Sequence, residues 1–247
     1  IILVTGPTGS GKTTTLYSGL RHISDTSQNI LTVEDPIEYT LPGIGQTQVN
    51  NKAGYDFASG LRSILRQDPD IVMVGEIRDI ETAKIAIQAS LTGHLVLSTI
   101  HTNSAIGAIA RLRDMGIESY LLASSLRVVI AQRLVRRLCE DCKTPIKPSA
   151  TIQKEFQLDK NENIYQAVGC TNCNNTGFKG RIALAECINI SDELKALIHD
   201  EASEAKLAES AFKENLSLDL SSSQLLRDGL TSYEELLRVQ NNQDANL

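Results

Sequence analysis

At 247 residues, with 41% hydrophobic and 22% charged side chains, the chain can build one large or two small domains around a real apolar core, which excludes disordered and fibrous classes. A net charge of -6 and only 4% aromatics, with no Trp, argue against non-specific nucleic-acid binding and base stacking. No apolar run approaches a bilayer span and no signal peptide opens the sequence, so the reading is a soluble, cytoplasmic protein with no nucleic-acid partner expected.

Residues 1–5 form a short apolar run of the kind that makes a buried parallel strand. Opening on a central strand, with no Met and no preceding element, implies a fragment whose upstream lobe is missing. Further strands are predicted at 30–34, 71–74 and 95–100. Between them Phe57, Leu61, Ile64 and Leu65 recur at helical spacing, as do Ala83, Ile87 and Leu91, with Asp79 as N-cap and Gly93 past the end. Alternating strands and helices imply a mostly parallel sheet flanked by helices. Two consecutive helices are predicted at 104–115 and 118–138, separated by Gly116. From Cys139 to about Glu186 the chain reads as loop-rich. Beyond Ser191 it turns helical, with a stripe of Leu194, Leu197 and Ile198, another stretch around Leu207 and Phe212, and a capping box from Thr231 to Glu234. Residues 241–247 are polar and expected to fray.

Gly6-Pro7-Thr8-Gly9-Ser10-Gly11-Lys12-Thr13-Thr14 follows the first strand and opens a helical stretch, the context a Walker A loop requires. Glycines let backbone N–H groups approach phosphate, Lys12 would meet the β and γ phosphates, and the Thr13 hydroxyl would take a Mg²⁺ position. The run from Asp70 to Glu76 has Walker B form. Glu76 follows the hydrophobic stretch and suits a metal-side or water-polarising acid, whereas Asp70 sits at the wrong end of the strand. Glu34, Asp35 and Glu38 crowd the end of another strand, and one of them is a candidate general base for water attack. His94 and His101 bracket the strand at 95–100; strand ends at the carboxyl edge line the ligand site, which favours His101. A guanine reader and a dinucleotide fingerprint are both absent.

Cys139-x-x-Cys142 and Cys170-x-x-Cys173 stand 27 residues apart. Each pair offers two thiolates to one tetrahedral ion, and a reducing setting favours a structural Zn²⁺ site. Cys187 stands alone and reads as a small buried hydrophobe. Arg133, Arg136, Arg137, Lys143 and Lys147 tint the region basic, which would suit an acidic partner or lipid headgroups.

The Walker A loop, Ile30 to Glu38, Leu65 to Asp79 and Thr92 to Asn103 together resemble, in order, the Walker A, Asp-box, Walker B and His-box motifs of the secretion ATPases of type II secretion and type IV pilus systems. The tetracysteine module after Ala131 to Arg137 is similar to that of export and pilus-assembly members. Pro42 to Asn50 and Ala108 to Gly116 most resemble the type II branch, with pilus assembly as the alternative. The resemblance implies an α/β, RecA-like P-loop core at 1–137, a zinc module at 138–188 and a helical subdomain at 189–247. It also implies a homohexameric motor using ATP, Mg²⁺ and Zn²⁺, held on the cytoplasmic face of the inner membrane by a platform protein and driving pseudopilus assembly. By the same resemblance Glu34 is the preferred general base over Glu38, Glu76 the Mg²⁺-side acid, and His101 a phosphate-side residue. A catalytically silent nucleotide-binding platform is the reading from a different class.

Overall fold

The computed structural model describes residues 1–25 and 27–241. The tail beyond residue 241, read as fraying, lies outside them. The described chain groups into two compact units: Ile1–Ala131 with Cys187–Asn215, and Gln132–Glu186 with the described part of Leu216–Leu247.

The first unit is built on parallel strands β1 (Ile2–Thr5), β2 (Ile30–Glu34), β3 (Gly45–Gln48), β4 (Ile71–Val74), β5 (Leu95–Ile100) and β6 (Val128–Leu138). The sheet order is β3-β2-β4-β5-β1-β6-β9, where β9 is Phe178–Asn189. β6 and β9 each contribute residues to both units. Side chains alternate between two apolar clusters. Leu3, Val72, Val74 and Val96 enter one with α2 (Phe57–Ile64), α3 (Ile80–Leu91), α4 (Ala105–Asp114), α5 (Ser119–Ser125), α7 (Asp192–His199) and α8 (Glu204–Ala211). Val4, Ile71, Met73 and Leu97 enter the other with Leu16, Tyr17 and Leu20 of α1 (Lys12–Ile23). Burial on both faces explains why the strands read as unbroken apolar runs. Each such side chain contributes about 1.5–3 kcal/mol by leaving water.

Residues 118–138 do not form one helix: α5 ends at Ser125 and the rest is strand β6. Val128, Val129 and Ile130 are β-branched, and Ile2 to Thr5 pair with Val128 to Ala131, so a partner remote in sequence overrides local periodicity. The segment read as loop-rich holds β7 (Thr144–Ile146) paired antiparallel with β8 (Ile164–Gln166), the short α6 (Ala150–Glu155) and most of β9. Two final helices, α9 (Leu218–Arg227) and α10 (Tyr233–Asn241), complete the second unit around Val135, Phe156, Ile164, Leu184, Leu226 and Leu236. The helix expected to open at Thr231 begins one residue later: Ser232 Oγ accepts the Glu235 N–H at 3.3 Å, while Thr231 donates to the Arg136 carbonyl. The stretch 189–247 is shared between the units, α7 and α8 in the first and α9 and α10 in the second.

Candidate functional site

Parallel register brings the carboxyl ends of β1, β2, β4 and β5 to one edge, since Thr5 pairs with Ile100, Val74 with Ser98, and Val33 with Val74. Loops at such an edge form the ligand crevice of an open α/β sheet. Gly6, Gly9 and Gly11 turn the loop after β1 with φ of 144°, 78° and 86°, a region L side chains avoid. Gly11 caps α1 without any side-chain bond, and a helix N-terminus of this kind presents backbone N–H groups to an anion. Lys12 is buried, and its ammonium donates to the carbonyls of Gly6 at 2.8 Å and Pro7 at 3.1 Å. Thr13 is half-buried and Thr14 exposed at the start of the helix, and Pro7, Thr8 and Gly9 are exposed, while Ser10 is buried.

Glu76 leaves β4 two residues past Val74. The loop around it is pinned from β5: Ser98 Oγ donates to the Val74 carbonyl at 2.8 Å, Thr99 Oγ1 to the Gly75 carbonyl at 2.7 Å, and Ile77 N–H to the Thr99 carbonyl at 2.8 Å. Burial opposes the Glu76 carboxylate, but Arg78, His101 and Lys12 outweigh it and hold the group below its ordinary pKa. Burial draws Lys12 below its ordinary value, and Glu76 acts in the other direction. His101 is half-exposed with Nε2 3.4 Å from Glu76 Oε2. Its segment is stitched to β1, where the Thr102 N–H donates to Thr5 Oγ1 at 2.8 Å and Thr5 Oγ1 donates to the Ile100 carbonyl at 2.9 Å. His94 sits at the opposite edge against the Ala89 carbonyl, and Asp70 accepts from Asn29 N–H there at 2.7 Å. Asp79 is absorbed in capping α3 through Thr82 N–H.

Glu34 ends β2, buried to 2% exposure. Its oxygens take hydrogen bonds from the Tyr17 hydroxyl, Thr32 Oγ1 and Gln46 Nε2, the last at 3.0 Å. A carboxylate offers about four acceptor sites, so one remains. Glu38 and Asp35 are exposed on the following loop. Sequence reasoning missed Tyr17, Gln46 and Arg78. Tyr17 belongs to the apolar stripe of α1 and looks like core. Arg78, two residues past Glu76, donates to it at 2.5 Å.

In the second unit the ligand atoms of Cys139, Cys142, Cys170 and Cys173 all lie within 4.8 Å of one another. Cys139–Cys170 and Cys142–Cys173 are 3.9 Å apart and Cys170–Cys173 3.7 Å. Zn–S bonds of about 2.3 Å in a tetrahedron set sulfurs about 3.8 Å apart, so the four fit one zinc ion. Backbone N–H groups of Cys170 and Gly177 point at Cys173 Sγ, each at 3.2 Å, and that of Gly169 at Cys142 Sγ at 3.3 Å. The Asp141 N–H favours the Cys139 thiolate, yet burial and the Cys170 and Cys142 sulfurs push this thiol up to about 12. Burial works against the Cys173 thiolate, but the two N–H donors bring it down to about 6. Cys187 is half-buried, and burial raises its thiol.

Residues 1–238 match the profile of the family described as "Type II/IV secretion system protein". The chain is 56% identical over 241 residues to the "Type II secretion system ATPase E" of Vibrio cholerae, covering 97% of this chain and 48% of that protein. It is 55% identical to the "Type II secretion system protein E" of Pseudomonas aeruginosa, with the same coverage of 97% and 48%. It thus spans about half the length of the curated relatives it matches. Among solved structures, the pilus retraction motor PilT with bound ADP superposes with a TM-score of 0.71 at 31% identity, over 95% of this chain and 59% of that one. The Legionella pneumophila ATPase DotB shares the fold, with a TM-score of 0.69 at 23% identity over 98% of this chain and 60% of that one.

Proposed function

The chain belongs to the type II/IV secretion system protein family, and from that premise we propose that it is the nucleotide-hydrolysing portion of a type II secretion ATPase. The observation that carries this reading is the glycine loop that opens α1 at the carboxyl edge of the sheet, with the Lys12 ammonium on the Gly6 and Pro7 carbonyls and Glu76 following β4 at the same edge. In this reading the loop of residues 6–14, through the backbone N–H groups of its residues other than Pro7, and the Lys12 ammonium hold the phosphates of ATP. Thr13 and Glu76 would hold Mg²⁺, which when bound neutralises phosphate charge. Glu34 takes the proton of the attacking water as its oxygen bonds the γ-phosphorus and the bond to the bridging oxygen breaks; ADP leaves with that oxygen. Glu38 is the alternative base. His101 stands on the phosphate side, next to Glu76.

The four cysteines bind Zn²⁺, which ties the loop at 139–142 to that at 170–173 and stiffens the second unit. Around this chemistry we place a homohexamer recruited to the cytoplasmic face of the inner membrane by a platform protein, converting hydrolysis into pseudopilus assembly. The names of the relatives support the type II secretion part of that setting. No helix among the described residues is long and apolar enough to cross a membrane.

The test is ATP binding and hydrolysis over a wide range of protein concentration, with Lys12→Ala as blank. Specific activity that climbs with concentration supports sites completed between subunits. Binding without turnover at any concentration supports the silent platform, in which chain beyond these residues supplies essential groups. Absence of Lys12-dependent binding refutes the nucleotide site.

A further inference from the structure

Tyr17 is fully buried on α1, five residues after Lys12, and its ring meets the edge of Tyr39 with centroids 4.7 Å apart. A buried phenol needs partners for its hydroxyl. Here that hydroxyl donates to Glu34 at the end of β2, and Gln46 Nε2 of β3 lies 3.3 Å from it. Gln46 extends the network: its amide nitrogen reaches the Tyr39 carbonyl at 3.2 Å, and its oxygen accepts the Leu41 N–H at 2.6 Å. Gln48 adds a bond from Ile37 N–H at 3.3 Å. The Tyr17 hydroxyl and the Gln46 amide together therefore join the phosphate-loop helix, the candidate base and the acidic loop at 35–44.

Burial and the hydrogen bond to Glu34 push the Tyr17 phenol well above the ordinary tyrosine range, so it stays a donor at any working pH. Pulling one member out of such a network leaves buried polar groups unpaired, which favours movement of the whole as a unit. The helix that opens on the phosphate loop and the loop that carries Asp35 and Glu38 thus have a direct mechanical connection.

We propose that Tyr17 is a positioning residue: through its hydroxyl, with Gln46, it orients Glu34 and transmits phosphate occupancy of α1 to the loop at 35–44. This rests on the nucleotide-hydrolase reading above. A purely packing role makes a different prediction, because phenylalanine keeps the ring and its contact with Tyr39.

The experiment is hydrogen exchange with and without MgATP on the unaltered chain, Tyr17→Phe and Gln46→Leu, with Lys12→Ala as blank. In the unaltered chain MgATP protects both 6–14 and 35–44. In either variant protection at 6–14 survives and protection at 35–44 falls to the level of the blank. Where the chain turns over, kcat falls about tenfold or more while MgATP affinity stays within about twofold, the pattern of lost positioning and not of lost binding. Protection of 6–14 without any response at 35–44 in the unaltered chain overturns the proposal, and so does an undiminished response at 35–44 in both variants. Lack of MgATP-dependent protection at 6–14 refutes the nucleotide site itself, a distinguishable failure that takes the Tyr17 proposal with it.

Discussion

Glu235 in α10 has a fully buried carboxylate that accepts the Arg136 N–H at 2.9 Å and pairs with the guanidinium groups of Arg136 and Arg238 at 2.8 and 2.6 Å. Burial alone would favour the neutral acid, but the two arginines outweigh it and bring the group from 4.5 down to about 2. A depressed folded-state value means stability that is present above about 4.5 and lost as pH falls toward about 2. At about 1.36 kcal/mol per unit, the contribution at neutral pH is about 3 kcal/mol, and roughly half of it is gone by pH 3. Glu235→Gln keeps an acceptor for the Arg136 N–H and removes the charge, so it should cost about 2–3 kcal/mol at pH 7. Arg136 and Arg238 are about half exposed and can turn to water, which holds the loss at the low end of a broken buried pair. Urea titrations followed by far-ultraviolet circular dichroism at pH 7, 5, 4 and 3 measure this. The gap between the two proteins should close steadily below pH 5. A cost under about 1 kcal/mol at pH 7, or a gap that stays constant down to pH 3, would refute the reasoning.

Glu34→Gln is expected to abolish hydrolysis while ATP binding persists; retained turnover removes Glu34 from the role of base. Metal analysis of freshly purified protein should give about one zinc per chain, and Cys142→Ser should lower that content and make the second unit more susceptible to protease. Gly60→Ala should destabilise by about 1–3 kcal/mol, because its Cβ would stand 2.8 Å from Val33 Cγ1 and 3.3 Å from the Tyr55 ring; an unchanged melting temperature would show that the site relaxes. Asp79→Ala removes the cap on Thr82 N–H of α3 and should cost about 1 kcal/mol in the same urea assay.

Strands β1, β2, β4 and β5, the glycine turn after β1, the acid after β4 and both cysteine pairs were legible from residue order, because each is dictated by neighbours a few positions away. Apolar runs, glycines demanded by positive φ, caps such as Asp79, and ligand pairs at x-x spacing need no distant partner to be recognised. Strand β6 was not legible, since its helix-compatible sequence becomes strand only by pairing with β1. Nor was the role of Tyr17, which shares its stripe with Leu16 and Leu20 and meets Glu34 and Gln46 only after β2 and β3 are laid in register. The sequence by itself determined which chemical groups the protein possesses and the short segments that present them. Tertiary structure alone decided which groups meet: Glu76 with His101, Tyr17 with Glu34, and two cysteine loops brought to one tetrahedral spacing. Those encounters depend on non-local strand pairing and burial, whose free energy is shared over the whole core and is written in no local window of residues.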